Sequence, residues 1–229
     1  VSDASGHDDR EALKAIAARA AFDRVPEGIV IGVGTGTTVA HFVGALAQDR
    51  ARVRAAVASS RDTERLLREA GIPVADLNEV GDYPLYVDGA DGIDSALRLI
   101  KGGGGALTRE KICAQAAERF VCIADDSKYS PEGLGSVPIP LEVIPMAREL
   151  VRRAVARMGG TARLREDFVT DNENQILDCE GLEAGSLEAL EISLETLPGV
   201  VTCGVFARRH ADLALIASAD GVRELVPDG

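Results

Sequence analysis

Apolar residues along the first half of the chain alternate between two rhythms. Asp9 to Asp23 carries Leu13, Ile16, Ala17 and Ala20 at helical spacing, which predicts an amphipathic helix. Gly28-Ile-Val-Ile-Gly-Val is a continuous apolar run and predicts a buried strand; Thr37 to Leu46 returns to helical periodicity after a glycine turn. The alternation continues with a strand from Arg54 and a helix from Asp62 to Ala70, closed by Gly71. A further strand begins at Pro73-Val-Ala-Asp-Leu. Apolar strands at Leu85 to Asp88 and Phe120 to Ala124 flank a helix that carries Glu110. Strands this apolar, interleaved with helices, imply a parallel sheet covered on both faces.

The rhythm changes near Ser136. Pro138 to Ile144 predicts a strand, and Met146 to Met158 a helix closed by Gly159-Gly160. Two strands follow, Ala162 to Leu164 with Phe168-Val-Thr and then Gln175-Ile-Leu, joined by the turn Asp171-Asn-Glu-Asn. Leu187 to Leu197 is a helix stopped by Pro198-Gly199, and Val200 to Phe206 a last strand. That β-α-β-β-α-β order predicts a ferredoxin-like module. Ala211 to Ile216 and Val222 to Val226 read as strands returning to the first sheet. The expected fold class is therefore α/β: a Rossmann-like parallel-sheet domain (1–134 plus 208–229) with an inserted smaller α+β ferredoxin-like domain (135–207).

Composition refines this picture. Hydrophobic residues make up 46% of the 229, enough for a proper core, but aromatics are only 3% and Trp is absent. Ala, Val, Leu and Ile must therefore fill the interior. A net charge of −12 argues against nucleic acid as a partner, because phosphates call for a basic face. Cys113, Cys122, Cys179 and Cys203 show no C-x-x-C pairing and sit in apolar surroundings, as expected of buried, reduced thiols in a cytoplasmic protein. His7, His41 and His210 are dispersed, so no metal cluster is expected. No apolar run is long enough to span a membrane, no signal peptide is read, and the acidic first ten residues are expected to form a mobile tail.

Three motifs carry chemistry. Gly32-Val-Gly-Thr-Gly-Thr-Thr lies between a strand and a helix, where glycines let an anion approach the backbone and the helix N-terminus supplies N–H groups. It departs from the dinucleotide fingerprint at Thr37 and lacks the lysine of a P-loop. A phosphate or carboxylate cradle and a plain tight turn both remain open. Asp88-Gly-Ala-Asp91 follows a strand end, where ligands of open α/β sheets bind, although Asp and Gly are also ordinary turn residues. Lys101 then precedes four consecutive glycines, which suit an anion-binding nest, with Glu110 in the first turn of the following helix. Only four of the 25 basic residues are lysines (Lys14, Lys101, Lys111, Lys128); a need for a compact ammonium rather than a guanidinium and chance placement both remain open as the reason. A base, a cation, N–H donors and a second carboxylate are what proton transfer beside a carbonyl needs, with no metal or redox cofactor.

Together with S-S-R-D-T (59–63), D-L-N-E-V, I-A-D-D-S-K, V-I-P-M-A-R, V-T-D-N-E-N-Q-I-L-D and L-P-G-V-V-T, these motifs resemble ribose-5-phosphate isomerase, type A, over nearly the whole chain. The resemblance implies Glu110 as the base that carries a proton between C1 and C2 through a cis-enediolate. It implies Asp88 in ring opening or hydroxyl-proton relay, Asp91 in support, and Lys101 with the Gly102, Gly103 and Gly104 amides at the oxyanion. Thr35, Gly36, Thr37 and Thr38 would hold the phosphate, helped by Lys14 and Lys128, with Ser59, Gly89 and Ala90 completing the substrate site. It further implies no cofactor, a sugar phosphate as partner, and a homodimer or homotetramer. Two positions depart from the family pattern: Gly92 stands where a glutamate is usual, and Gly105 where an alanine is usual. The first questions the support of the Asp88–Asp91 loop, and the second predicts a looser nest. Two other classes fit part of the pattern: an acyl or coenzyme A transferase with Glu110 as nucleophile, and a sugar-phosphate sensor without catalysis.

Overall fold

The computed structural model describes residues 3–182 and 185–227; Val1, Ser2, Glu183, Ala184, Asp228 and Gly229, included in the expected domain ranges, lie outside the described residues. Helix α1 (Asp3–Phe22) starts well before the predicted Asp9, so most of the expected mobile tail is helix. There follow β1 (Ile29–Val33), α2 (Thr37–Gln48), β2 (Val53–Ala58), α3 (Arg61–Glu69), a single-turn α4 (Leu77–Val80) and β3 (Tyr83–Asp88). Next come a short hairpin, β4 (Gly92–Ile93) and β5 (Leu99–Ile100), then α5 (Leu107–Ala116) and β6 (Ala117–Asp125).

The second module runs β7 (Ile139–Val143), α6 (Arg148–Arg157), β8 (Thr161–Leu164), β9 (Gln175–Glu180), α7 (Leu187–Glu195) and β10 (Val200–Cys203). Strands β11 (Val205–Phe206), β12 (Leu213–Ser218) and β13 (Gly221–Leu225) close the chain. The main sheet has the order β13-β12-β6-β3-β1-β2. All its pairings are parallel except that of the edge strand β13. The second sheet, β10-β7-β9-β8, is antiparallel and has the strand order of a ferredoxin-like module. The α/β reading of the sequence is borne out. We propose the two sheets as cores of the two domains, divided as the sequence suggests.

Alternation along the main strands sends their side chains to two different cores. Ile31, Val33, Leu85, Val87, Val121 and Ile123 pack against Ala17, Phe22, Phe42 and Leu46 of α1 and α2. Their neighbours Val30, Tyr86, Phe120 and Cys122 pack on the other face with Leu97, Leu99, Cys113 and Ala114. Both faces are thus dry, and the C-terminal strand ends are left as the open edge of the sheet.

Two expected strands are corrected. Pro73-Val-Ala makes only an isolated bridge, Val74 to Ala56, before Asp76 caps α4 by accepting the Asn78 N–H at 2.8 Å. Phe168-Val-Thr is a loop. There Thr170, Asn172 and Asn174 all donate to the fully buried Glu142 carboxylate of β7, at 2.9, 3.1 and 2.8 Å. Bonds to a buried charge outweigh local strand propensity. The paired β4, β5 and β11, each two residues long, carry no periodicity that a sequence reading could detect.

Candidate active site

The site forms where β1 and β3 end side by side. Asp88, the last residue of β3, is fully buried. Its Oδ1 accepts the backbone N–H of Thr35 at 3.0 Å and of Gly89 at 2.7 Å, and its Oδ2 accepts the Tyr86 hydroxyl at 2.5 Å. Only glycine fits at position 34, because a Cβ there would lie 1.9 Å from Asp88 Oδ1. The two motifs read separately in the sequence therefore close on each other.

Lys101, 2% exposed, reaches into the same spot from β5. Its ammonium lies 2.8 Å from Asp88 Oδ2, donates to the Gly89 carbonyl at 2.7 Å, and stands 3.4 Å from Glu110 Oε2. Burial alone would lower its pKa, but the Asp88 and Glu110 carboxylates outweigh that and hold it above the usual lysine range. Glu110 lies in the first turn of α5, 4% exposed, and its Oε2 has no hydrogen-bond partner among the described residues. Burial, reinforced by the Asp88 charge and only partly offset by Lys101, pushes the Glu110 carboxyl up to about 8. A carboxyl poised there can both take and return a proton near neutral pH.

A cavity of about 180 Å³ opens above this cluster. Fourteen of the sixteen residues singled out from the sequence line it: Lys14, Thr35, Gly36, Thr37, Thr38, Gly89, Ala90, Asp91, Lys101, Gly102, Gly103, Gly104, Glu110 and Lys128. Two do not. Ser59 is fully buried behind Thr35, with its Oγ 2.8 Å from the Thr35 hydroxyl, so it supports the cradle rather than lining it. Asp88 is fully buried beneath the floor, and of the two aspartates of the motif it is Asp91 that lines the cavity.

The N-terminus of α2 also lines the cavity, entered through Gly36 at φ 116°, a conformation glycine adopts freely. Its dipole and its first N–H groups suit an anion. Lys14 and Lys128 line the same cavity; Lys14 is held at 2.6 Å by Glu11, which also meets His41 Nε2 at 3.0 Å. Those contacts, Lys14 first, pull the Glu11 carboxyl down to about 2. Lys111, by contrast, points away from the cavity and joins Glu191, Glu195 and the Val205 carbonyl, each at 2.7 Å.

The glycine run is a turn in which the Gly105 N–H donates to the Gly102 carbonyl at 2.9 Å. The Gly103 amide donates to Asp91 Oδ2 at 2.7 Å, so it braces that carboxylate and is not free for an oxyanion. Gly105 does not loosen the turn: φ is 74°, and a Cβ would strike the Phe168 ring at 2.2 Å. Gly92 is likewise compensated, since Val137 and Leu134 fill the space beside it and a Cβ would meet them at 2.9 and 3.0 Å. The loop keeps its support through the Asp91 N–H, which donates to the Ile100 carbonyl at 2.8 Å.

Comparison with known proteins places the chain in a family. The sequence profile of the family described as Ribose 5-phosphate isomerase A (phosphoriboisomerase A) matches residues 55–221. The chain belongs to the ribose 5-phosphate isomerase A family. The Bordetella petrii protein named ribose-5-phosphate isomerase A is 55% identical over 197 residues, which cover 86% of this chain and 87% of its own. The crystal structure of ribose 5 phosphate isomerase A from Neisseria gonorrhoeae matches with a TM-score of 0.93 at 42% identity, covering 96% of this chain and 98% of that one. A D-ribose-5-phosphate isomerase solved in complex with phospho-erythronic acid matches with a TM-score of 0.90 at 35% identity, covering 95% and 99%.

Three residues that shape this site were not singled out in the sequence. Glu142 accepts the Thr108 hydroxyl as well as the 170–174 loop, so it pins the first turn of α5 that bears Glu110. Glu11 sets Lys14. Arg165 of the second module donates to the Gly102 and Gly103 carbonyls at 3.2 and 3.0 Å. Each acts on a partner that only the fold brings near, except Glu11, whose i,i+3 spacing to Lys14 was readable on a helix.

Proposed function

We propose that this protein interconverts D-ribose 5-phosphate and D-ribulose 5-phosphate by proton transfer through a cis-enediolate. The observation that carries the reading is the buried Glu110 carboxyl, with one oxygen unpartnered, beside Lys101 in a cavity that the N-terminus of α2 also lines. The phosphate sits at the N-terminus of α2 between Lys14 and Lys128, which places C1 and C2 of the open-chain sugar beside Glu110.

Glu110 takes the C2 proton; the C–H pair becomes the C1=C2 double bond and the carbonyl pair moves to O1. Lys101 and the Gly104 amide receive that oxyanion. The O2 proton passes to O1 through Asp91, while Glu110 returns its proton to C1 and leaves the ketose. Asp88 acts from below, as the counter-ion that holds Lys101 and the Gly89 peptide in place. The family resemblance adds a homodimer or homotetramer, which sedimentation would measure.

A coupled ketose assay on ribose 5-phosphate with EDTA present tests the activity. Glu110→Gln should lower kcat by ~10²–10⁴-fold, the usual size of a general acid–base contribution, while sugar-phosphate binding survives. A variant that keeps the wild-type rate would remove Glu110 as the base.

A further inference from the structure

Arg165 lies just after β8, outside the cavity, and makes an unusual set of contacts. Its Nε and Nη2 donate to the two oxygens of Asp178 on β9, at 2.9 and 2.5 Å. Its guanidinium stacks 5.3 Å from the centre of the Phe168 ring, the ring that fills the space beside Gly105. The remaining nitrogen, Nη1, donates to two consecutive peptide carbonyls of the glycine turn, Gly102 at 3.2 Å and Gly103 at 3.0 Å. Five donors in a rigid planar fork make Arg the one side chain that can do all of this at once.

A trans peptide holds its N–H antiparallel to its C=O. The Gly102 carbonyl shares its peptide plane with the Gly103 N–H, and the Gly103 carbonyl shares its plane with the Gly104 N–H. Drawing both carbonyls outward turns both amides toward the opposite side. The Gly103 amide is found there, donating to Asp91 Oδ2 at 2.7 Å, and Gly104 lines the cavity. Without such a clamp, a run of four glycines could rotate these peptide planes at little steric cost. A cation on each carbonyl also polarises the attached N–H and strengthens it as a donor.

We propose that Arg165, held by Asp178 and Phe168, is a positioning residue for the reaction: it locks the Gly102–Gly104 peptide planes so that the Gly104 amide faces the developing enediolate and the Gly103 amide fixes Asp91. This rests on the isomerase reading above and extends it from the cavity to the second module.

The test compares wild type, Arg165→Met and Arg165→Lys in three measurements. These are steady-state isomerisation, calorimetric affinity for phospho-erythronic acid, whose carboxylate copies the enediolate charge, and calorimetric affinity for inorganic phosphate. A direct oxyanion donor is worth ~10²–10³ in kcat, so loss of its alignment should cost ~10–100-fold in Arg165→Met with KM nearly unchanged. Affinity for phospho-erythronic acid should fall by a similar factor, inorganic phosphate should bind as in wild type, and Arg165→Lys should recover part of both losses. An unchanged kcat, or equal losses for the two ligands, overturns the proposal, because a merely structural role would weaken the whole cavity. A wild-type protein without isomerase activity would sink the functional reading instead, and the two binding measurements would still decide the role of Arg165.

Discussion

Lys101 Nζ stands 3.4 Å from Glu110 Oε2, near enough to attract the carboxylate but beyond a good charge-assisted hydrogen bond. The difference between attraction and bonding leaves Glu110 basic. A shorter contact would hold the carboxyl ionised and make it a weak base. Asp88 supplies the shorter contact, at 2.8 Å, and takes the larger share of the ammonium.

A pH profile should show this. With Glu110 at about 8, the fraction ready to accept a proton from the aldose rises tenfold per pH unit below that value. The plot of log kcat/KM should climb with a slope near one from about pH 6 and level off above about pH 8. A flat profile across that range would show that the catalytic carboxyl ionises elsewhere.

The same displacement has a sign for stability. The folded carboxyl binds its proton more tightly than the unfolded one, whose ordinary value is 4.5, so the stability it contributes at low pH is lost as pH rises from there through about 8. Glu110→Gln removes that loss. Its melting temperature should match or trail wild type near pH 5 and exceed it by a few degrees near pH 9, in calorimetric scans.

Lys101→Met should fail differently. It leaves the Asp88 carboxylate fully buried without its ammonium. Breaking one side of a buried pair costs about 3–5 kcal/mol, readable as a drop in the urea midpoint at constant slope. Adding Asp88→Asn should restore much of that stability without restoring activity.

Gly34→Ala tests the junction of the two motifs. The new methyl would lie 1.9 Å from Asp88 Oδ1 and must displace the carboxylate from the Thr35 and Gly89 amides. Overpacking of this kind costs about 1–3 kcal/mol, so the variant should still fold. Turnover should fall at least ~10-fold, because small misplacements of positioned groups are costly. Wild-type kcat in a folded Gly34→Ala would show that Asp88 need not stay where it is.

The parallel sheet was legible because its strands are apolar on both faces, and the inserted module because its element order survives in the hydrophobic pattern. Fourteen of the residues named from the sequence line one cavity: glycine runs, paired carboxylates and rare lysines drew attention to part of the set, and the family resemblance supplied the rest, Gly89 and Ala90 among them. Phe168-Val-Thr was misread as a strand because Glu142, 28 residues before Thr170, binds the loop that carries it.

The amino-acid order thus settles which groups exist for chemistry, since side-chain type, glycine content and local periodicity are properties of neighbours along the chain. It does not settle which of those groups is free to react. Asp88 and Asp91 look equivalent in the sequence. Contacts from Thr35, Tyr86 and Lys101 bury one beneath the floor, and the glycine turn aims the other into the cavity. Gly105 reads as a weakness until Phe168 fills the space beside it, and Arg165 has no visible role until it meets the Gly103 carbonyl. Those outcomes depend on distances between residues as many as 63 positions apart, such as Gly102 and Arg165. Burial and hydrogen-bond geometry over such separations exist only once the chain has packed.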